Sequence, residues 1–482
     1  MRRLAACLVA IGLLTVGCGT GSAGSSPPAP HAGVAVTTSS YDAARSQPRE
    51  DTVYPDVGGP GVDALHYALD LTWDSRAARL TATETLLFRA TRTAGRLQLD
   101  LARALQVGNV WLDGTSVSFQ HPAKNLVVDA PVQGNTRHVL QLTYSGTPEP
   151  VPAPTDRSDF STTGWTVARD GTVWTMQEPY GAYSWYAVDD QPSDKAFYDV
   201  TIRAPKGEVG VSNGRLVSRT TSDGRTVTRW DLPEPAASYL ITIAIGRYTE
   251  TKDTGPHGLP ISYWTPSNRP ELVKGLRYTP RAVAYLEHKM GRYPFPTLGV
   301  LLVPSQSAME TQSMLTLGIG DYTLSRDVLV HELAHQWYGD TVSPADWSDL
   351  WMNEGMATYL AEASWTGDHG PEPRSRILRR WSGLAGGMRA QYGPPAHYRP
   401  GTFGEGNVYY IPALMWDTLR QRLGDDRFWA LARRWLATHR FTSQDRDTLA
   451  AWWSKASGQD LTPVFHAWLL GRTEPGWRPS PK

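Results

Sequence analysis

Residues 331–340 read His-Glu-Leu-Ala-His-Gln-Trp-Tyr-Gly-Asp, and the first five of them contain two histidines four residues apart. In an α-helix, residues i and i+4 lie on the same face, so the imidazoles of His331 and His335 can bind one metal ion. Glu332 lies beside them, where its carboxylate can meet a water molecule at the metal. The alternative is a surface or core helix that happens to carry two histidines.

A third candidate ligand, Glu354, follows the second histidine in the next predicted helix. Catalytic zinc typically binds three protein ligands and keeps one coordination position open. The metzincin pattern requires a glycine and a third histidine soon after the second, but Tyr338 and Thr341 occupy those positions. The set His331, His335 and Glu354 therefore has the ligand spacing of gluzincins and predicts one catalytic zinc ion per chain.

This ligand set predicts hydrolysis. Zinc lowers the pKa of a bound water molecule toward ~7 and polarises the scissile carbonyl. Glu332 is then the general base that takes a proton from the zinc-activated water and passes it to the leaving amine. Thr358 lies one turn after Glu354 and either orients a ligand or simply packs in the core.

Length and composition indicate a folded protein of more than one unit. The chain has 482 residues, 40% of them hydrophobic, which predicts two or three structural units. Lys+Arg and Asp+Glu both number 47, and no polybasic block occurs, so nucleic acid is excluded as an expected partner. Because Cys7 and Cys18 are the only cysteines, the predicted folded part has neither a disulfide nor a thiol nucleophile.

The N-terminus predicts export. A positively charged start precedes an apolar segment, residues 4–16, which is too short to span a bilayer and leads to Cys18. Residues 1–18 resemble a bacterial lipoprotein signal in which Cys18 is lipidated, and ordinary secretory cleavage after residues 22–24 is the alternative. Residues 19–50 are rich in Gly, Ser, Ala, Pro and Thr and predict a flexible linker. We expect an exported protein, lipid-anchored on the outer face of a bacterial cell membrane or secreted.

Residues 51–250 predict an N-terminal β domain. Hydrophobic and polar residues alternate with period two in segments 67–73 and 197–202. Turn pairs such as Asp113-Gly114 separate such runs. An antiparallel β-sandwich or saddle-like sheet is the expected architecture.

Residues 251–482 predict a mostly helical domain with a small sheet. One strand-like run covers residues 299–303. Gly339 is expected to end the motif helix in a left-handed conformation, and Pro412 is expected in the first turn of its helix. Helices are predicted over residues 326–338, 357–364, 412–423, 428–439, 447–457 and 461–470.

The motif segment with Trp347 and residues 350–355 resembles a long signature of the aminopeptidase N family of zinc metallopeptidases. The resemblance runs from about residue 60 to residue 470. It implies a thermolysin-like catalytic domain over residues 251–482 and removal of N-terminal residues from peptides with a free N-terminus. Larger members carry a long helical C-terminal domain, which we expect this chain to lack, and a more open cleft is the corresponding hypothesis.

The resemblance implies three further site residues. Residues 307–311 resemble the family's Gly-x-Met-Glu-Asn motif, in which the acid, here Glu310, binds the substrate's α-amino group. Glu178 falls on a second amine anchor. Tyr409 matches the tyrosine that stabilises the oxyanion of the tetrahedral intermediate, although Tyr410 is adjacent and the residues that follow depart from the family pattern.

Three alternative functions remain open at this point. A zinc endopeptidase is expected if Glu310 does not hold an amine. One branch of the family has epoxide hydrolase activity, for which no distinguishing feature occurs here. An inactive surface binding protein that keeps the fold is the third alternative. Such proteins usually lose a metal ligand or the general base, whereas this chain has all three ligands and Glu332.

Lipidation of Cys18 predicts that a fatty-acid analogue labels the wild-type chain in cells, because the cysteine becomes the acylated N-terminus. A Cys18→Ala variant should remain unlabelled. Labelling is measured on the immunoprecipitated chain, and a wild type without label would contradict the lipoprotein prediction and favour secretory cleavage.

Overall fold

The computed structural model describes residues 41–370 and 372–479. The predicted signal with Cys18, and residues 19–40 of the predicted linker, lie outside these ranges. No helix in the described ranges is long and apolar enough to cross a membrane. The linker prediction is wrong for residues 41–50, because Ala44 is buried and Arg49 Nε donates to the carbonyl oxygen of Ala345 at 3.0 Å.

The N-terminal part of the chain is β-rich, as predicted, and contains three sheets. In spatial order, the strands of the eight-stranded sheet are Arg215–Ser222, Arg225–Ala237, Lys195–Pro205, Val62–Asp74, Arg79–Ala90, Arg137–Gly146, Leu105–Leu112 and Thr115–Ser116. Those of a five-stranded sheet are Val209–Ser212, Ile243–Gly246, Val173–Met176, Thr162–Val167 and Val151–Pro152. A three-stranded sheet contains Leu97–Asp100, Asn125–Asp129 and Ser118–Gln120.

The alternating pattern produces these strands for a simple reason. Tyr67, Leu69 and Leu71 point to one face of their strand and are buried, whereas Asp70 between them is partly exposed. The expectation of a purely antiparallel sheet is wrong at one position, where Val62–Asp74 pairs in parallel with Lys195–Pro205. The long intervening chain permits this pairing, because parallel neighbours need only an extended crossover connection.

A second five-stranded sheet opens the catalytic part of the chain, where only one further strand is predicted. Its strands, in spatial order, are Tyr248–Thr254, Pro260–Pro266, Leu298–Val303, Met314–Gly318 and Ala308–Met309. Met314–Gly318 is buried throughout, so it lacks the alternation that reveals a half-exposed strand. The predicted domain boundary at residue 250 falls inside the strand Tyr248–Thr254, which pairs with the later part of the chain.

Helices dominate the rest, as predicted, beside a two-stranded parallel ribbon of Val342–Pro344 and Thr442–Gln444. A π-helical segment, Tyr359–Thr366, directly follows the α-helix Trp351–Thr358. The α-helices are α1 (Val273–Leu276), α2 (Thr279–Met290), α3 (Arg326–His335), α4 (Trp351–Thr358), α5 (Gly367–His369), α6 (Arg374–Tyr392), α7 (Gly406–Leu423), α8 (Asp425–Thr438), α9 (Arg446–Ser457) and α10 (Thr462–Leu469).

Several predicted helix bounds are wrong: the helix predicted over 357–364 begins at Trp351, and two further errors lie close to the site. Helix α3 ends at His335 rather than Tyr338, because the chain turns back and brings the Tyr338 carbonyl oxygen to 3.1 Å from His335 Nδ1. Helix α7 begins at Gly406, so Pro412 lies inside the helix and not in its first turn. An interior proline costs about 3 kcal/mol, and the extensive burial of α7 offsets this cost.

Helices α4 and α7 approach closely at a single glycine. A Cβ atom at Gly355 would lie 2.6 Å from Pro412 Cβ, which is closer than carbon atoms tolerate. Glu354 precedes this glycine on α4, and Tyr409 lies one turn before Pro412 on α7. The glycine–proline contact therefore sets the distance between two helices that carry predicted site residues.

We expect Gly355→Ala to lower the free energy of unfolding by about 1–3 kcal/mol, because the added methyl group must push α4 away from α7. Gly383→Ala is the matched control, since Gly383 is exposed on α6 and its Cβ would meet open space. There, alanine should stabilise by roughly 0.5–1 kcal/mol. Denaturant unfolding measures both, and a Gly355→Ala variant as stable as wild type would contradict the tight contact.

Candidate active site

Helix α3 presents the motif residues. Its N-terminus is capped by Ser325, whose hydroxyl accepts from Val328 N at 3.3 Å, and the helix continues without interruption to His335. The rings of His331 and His335 consequently lie on one face, and their Nε2 atoms are 3.1 Å apart. The sequence prediction that both imidazoles face the same point agrees with this geometry.

Helix α4 brings Glu354 to the same point. Its Oε2 atom lies 3.1 Å from His331 Nε2 and 3.3 Å from His335 Nε2. Tetrahedral zinc with Zn–N distances of ~2.0–2.1 Å places its ligand atoms about 3.3 Å apart, so the three atoms match one face of such a tetrahedron. The donor set of two imidazoles and one carboxylate also fits zinc.

The surroundings prepare these three side chains as ligands. A carbonyl oxygen only accepts, so the contact with Tyr338 O places a proton of His335 on Nδ1 and directs Nε2 at the shared point. Burial alone would raise the pKa of Glu354, but His335 and His331 hold it below its usual value. Glu354 therefore stays ionised although it is buried.

Glu332 lies on the same turn of α3 and is 7% exposed. A carboxylate oxygen of Glu332, a ring nitrogen of His335 and a carboxylate oxygen of Glu310 lie within 4.8 Å of one another. Burial raises the pKa of Glu332 well above its usual value, and the nearby acids Glu310 and Glu354 add to this. A carboxylate with a raised pKa accepts a proton more readily, which suits a general base.

Glu310 follows the short strand Ala308–Met309, and its backbone is hydrogen-bonded to the residue that follows α3. Gln336, the residue after His335, donates from Nε2 to the carbonyl oxygen of Glu310 at 2.8 Å. The other end of this amide, Oε1, accepts from Ser313 N at 2.8 Å. Gln336 thus fixes the Glu310 segment beside the metal-ligand helix.

Glu178 reaches the same place from the β-rich part. The preceding residue, Gln177, is held from both ends: it accepts from Trp185 Nε1 at 2.9 Å and donates to Ser238 O at 2.7 Å. Burial raises the pKa of Glu178 well above its usual value, and the charge of Glu310 is the next largest cause. Glu178 and Glu310 line the same cavity, although 131 residues separate them in the chain.

Both of these acids carry an oxygen atom without a partner. Among the described residues, the buried Oε1 atoms of Glu178 and Glu310 make no hydrogen bond. Buried carboxylate oxygens normally accept hydrogen bonds or pair with cations. Two such atoms in the lining of one cavity favour a cationic group that donates hydrogen bonds.

Tyr409 on α7 lies next to the ligand set, with its ring centroid 6.0 Å from that of His331. Burial raises its pKa well above the usual value, so the hydroxyl stays protonated and can donate. Tyr410 instead packs on Trp381, with ring centroids 5.1 Å apart. The geometry thus distinguishes the two adjacent tyrosines in favour of Tyr409.

The contacts of Thr358 do not support its predicted role in orienting a ligand. Its side chain is fully buried, and its hydroxyl oxygen makes no hydrogen bond within the described part of the chain.

A cavity of about 960 Å³ lies between the β-rich part and the helices. That volume suits a ligand of a few residues. Seven predicted site residues line it, namely Glu178, Glu310, His331, Glu332, His335, Glu354 and Tyr409.

Among the lining residues that sequence reasoning missed are Arg157 and Asp159, on a loop of the β-rich part. The Arg157 guanidinium donates to Asp159 at 3.0 and 2.6 Å and to the Tyr409 hydroxyl at 3.3 Å. An Arg-Ser-Asp triplet in a loop has no periodicity or motif that marks it. It also missed Gln336, although its place directly after H-E-x-x-H was a usable signal.

Two family models match the chain. A family model described as "Peptidase M1 N-terminal domain" matches residues 63–240, and one described as "Peptidase family M1 domain" matches residues 276–384. This chain belongs to peptidase family M1. The two matches place the β-rich part and the ligand helices within the same family.

Individual relatives cover parts of this M1 chain. Aminopeptidase N of Streptomyces lividans is 25% identical over 448 residues, which is 85% of this chain and 50% of that protein. A probable aminopeptidase 1 of Sulfurisphaera tokodaii is 27% identical over 286 residues, 56% of this chain and 35% of that one. The chain thus spans about half or less of the length of these curated relatives.

Solved structures match the M1 chain over most of its length. The M1 zinc metallopeptidase of Deinococcus radiodurans is 26% identical with a TM-score of 0.79, and the match covers 90% of this chain and all of that one. A mutant of that metallopeptidase was crystallised with a Tyr-Ser-Ala substrate; it is 25% identical, has a TM-score of 0.78, and the match covers 89% and 99% of the two chains. The predicted fold class is confirmed.

We expect the wild-type chain and Glu332→Gln each to retain about one zinc ion after dialysis, since Glu332 is not in the three-ligand set. His335→Ala should weaken metal binding at least about tenfold, because it removes a ligand whose orientation is fixed by Tyr338. Elemental analysis measures the bound metal. A full zinc complement in His335→Ala would show that the metal binds elsewhere.

Proposed function

We propose that this chain is a zinc-dependent aminopeptidase that hydrolyses N-terminal residues from peptides. One observation carries the proposal, namely the unpartnered carboxylate oxygens of Glu178 and Glu310, which line the same cavity as the three-ligand set. A free α-amino group is cationic at neutral pH and has hydrogens to donate to both. An amine held there presents the first peptide bond to Glu332 and Tyr409.

The chemistry divides among the residues of the chain. His331, His335 and Glu354 would hold zinc, which supplies Lewis acidity toward the peptide carbonyl and the attacking water. Glu332 takes the proton from that water and returns it to the leaving amine. Tyr409, a neutral hydroxyl, donates a hydrogen bond to the carbonyl oxygen as negative charge develops there.

The comparisons support the same activity. The curated relatives described above are named aminopeptidases, and the similar Deinococcus metallopeptidase binds a tripeptide substrate. A cavity of about 960 Å³ has room for a short peptide. We propose peptides with a free N-terminus as substrates on these grounds.

The alternatives fit the site less well. An endopeptidase acts on internal peptide bonds and brings no ammonium group, which would leave Glu178 and Glu310 as two buried acids without a counter-charge. An inactive binding protein would not require Glu332 beside a complete ligand set. No contact among the described residues favours epoxide hydrolysis.

We also propose that the protein works outside the cytoplasm, anchored by a lipid at Cys18 or secreted. The support is the sequence of residues 1–18, with its charged start and short apolar segment.

We expect the purified chain to release the chromogenic group from aminoacyl amides. A chelator should abolish release and zinc restore it, while Glu332→Gln should lower kcat by at least about a hundredfold. Glu310→Gln should lower kcat/KM by roughly 10- to 100-fold, because it removes one charged hydrogen bond to the amine.

An N-acetylated peptide is the control substrate, since it lacks the ammonium group. Cleavage of this peptide without cleavage of any free-amine substrate would replace the proposal by an endopeptidase. Zinc-loaded, folded chain that cleaves neither would leave a binding role.

A further inference from the structure

A loop of the β-rich part, residues 154–160, reaches across the cavity to the segment that precedes α7. Phe403 N donates to the carbonyl oxygen of Pro154 at 3.0 Å, and Thr155 Oγ1 donates to Phe403 O at 2.8 Å. Arg157 Nη1 then donates to Gly404 O at 2.7 Å. Three hydrogen bonds therefore fix the loop next to Tyr409.

The guanidinium of Arg157 is oriented from several sides. Asp159 accepts from Nε at 3.0 Å and from Nη2 at 2.6 Å, which is the bidentate arrangement that fixes the plane of an arginine. The Phe160 ring lies 4.7 Å below the guanidinium carbon. Gly404, which accepts from Arg157, has a φ of +69°, a conformation that favours glycine.

The direction of the hydrogen bond between Arg157 and Tyr409 matters. Arginine has donors and no acceptor, so the 3.3 Å contact between Nη1 and the Tyr409 hydroxyl uses the tyrosine oxygen as acceptor. The hydroxyl hydrogen is then free to point elsewhere. The Tyr409 ring centroid lies 6.0 Å from that of His331, which keeps the phenol close to the ligand set.

Charge adds to this geometry. A cationic donor draws electron density from the phenol oxygen and makes its O–H a stronger donor. Asp159 neutralises the guanidinium, so Arg157 adds little net positive charge near a site that also has to hold a metal ion.

We propose that Arg157 is a positioning residue for Tyr409, holding the phenol so that its O–H points at the scissile carbonyl. This proposal rests on the proposed aminopeptidase function. A different role, direct binding of a substrate carboxylate, is disfavoured because Nε, Nη1 and Nη2 already donate to Asp159, Gly404 and Tyr409.

A double-mutant cycle on the full, zinc-loaded chain tests the proposal, with an aminoacyl amide as substrate. Arg157→Gln should lower kcat about 10- to 100-fold, the range of a charged hydrogen bond, while KM stays within about twofold. Tyr409→Phe should lower kcat at least as much. The double variant should match Tyr409→Phe within about twofold, because Arg157 has nothing left to position.

Two further variants separate positioning from folding. Asp159→Asn keeps Arg157 but weakens the pair that orients it, so we expect a smaller loss of kcat. Arg203→Gln is the matched control, since Arg203 forms a similar pair with Asp70, at 2.8 Å for both contacts, in the eight-stranded sheet. It should not change kcat. Thermal unfolding and zinc content are recorded for every variant.

Other outcomes overturn the proposal. Losses of kcat that multiply in the double variant would mean that Arg157 acts independently of Tyr409. A rise in KM confined to peptides with a free C-terminal carboxylate would make Arg157 a substrate anchor instead. Additivity in an active enzyme removes only the role of Arg157, whereas an inactive wild type overturns the proposed function as well.

Discussion

The crowding of buried negative charge at one point is the constraint on which the rest of the structure depends. Burial raises the pKa values of Glu178, Glu310 and Glu332, and the charges of nearby acids raise them further. Such a cluster is unfavourable unless cations occupy it. A metal ion beside Glu354 and a substrate amine beside Glu178 and Glu310 would offset this repulsion, so the electrostatics of the fold correspond to the proposed chemistry.

Holding these acids together requires both parts of the chain. The β-rich part contributes Glu178 and Arg157, while the helices contribute the ligand set and Tyr409. The connections between the two parts are polar and buried: Asn213 Nδ2 donates to Gln312 O at 2.7 Å, and Gly214 N donates to Ser313 Oγ at 2.9 Å. The segment that follows Glu310 is thereby fixed to the β-rich part, which restricts the movement of the Glu310 backbone.

Local chemistry explains which site residues could be predicted from the sequence. The relation of His331 to His335 depends on helical periodicity alone, so four residues of spacing predict a shared ligand point. Glu310 and Tyr409 came from resemblance, because nothing in their own neighbourhood marks them. Arg157 was not predicted at all, since its contacts depend on a loop that meets Gly404, a residue far away in the chain. The buried strand Met314–Gly318 escaped for a different reason, namely the absence of alternation.

The sequence by itself determined the helix that carries His331 and His335, the β-rich character of the N-terminal part and the helical character of the remainder. These features follow from interactions among residues close together in the chain, where periodicity and turn residues leave few alternatives. Only the tertiary structure decided that helix α7 runs through Pro412, that Glu178 lies beside Glu310, and that an arginine contacts Tyr409. Those outcomes depend on packing between distant segments, whose energies outweigh local preference and leave no periodic signal.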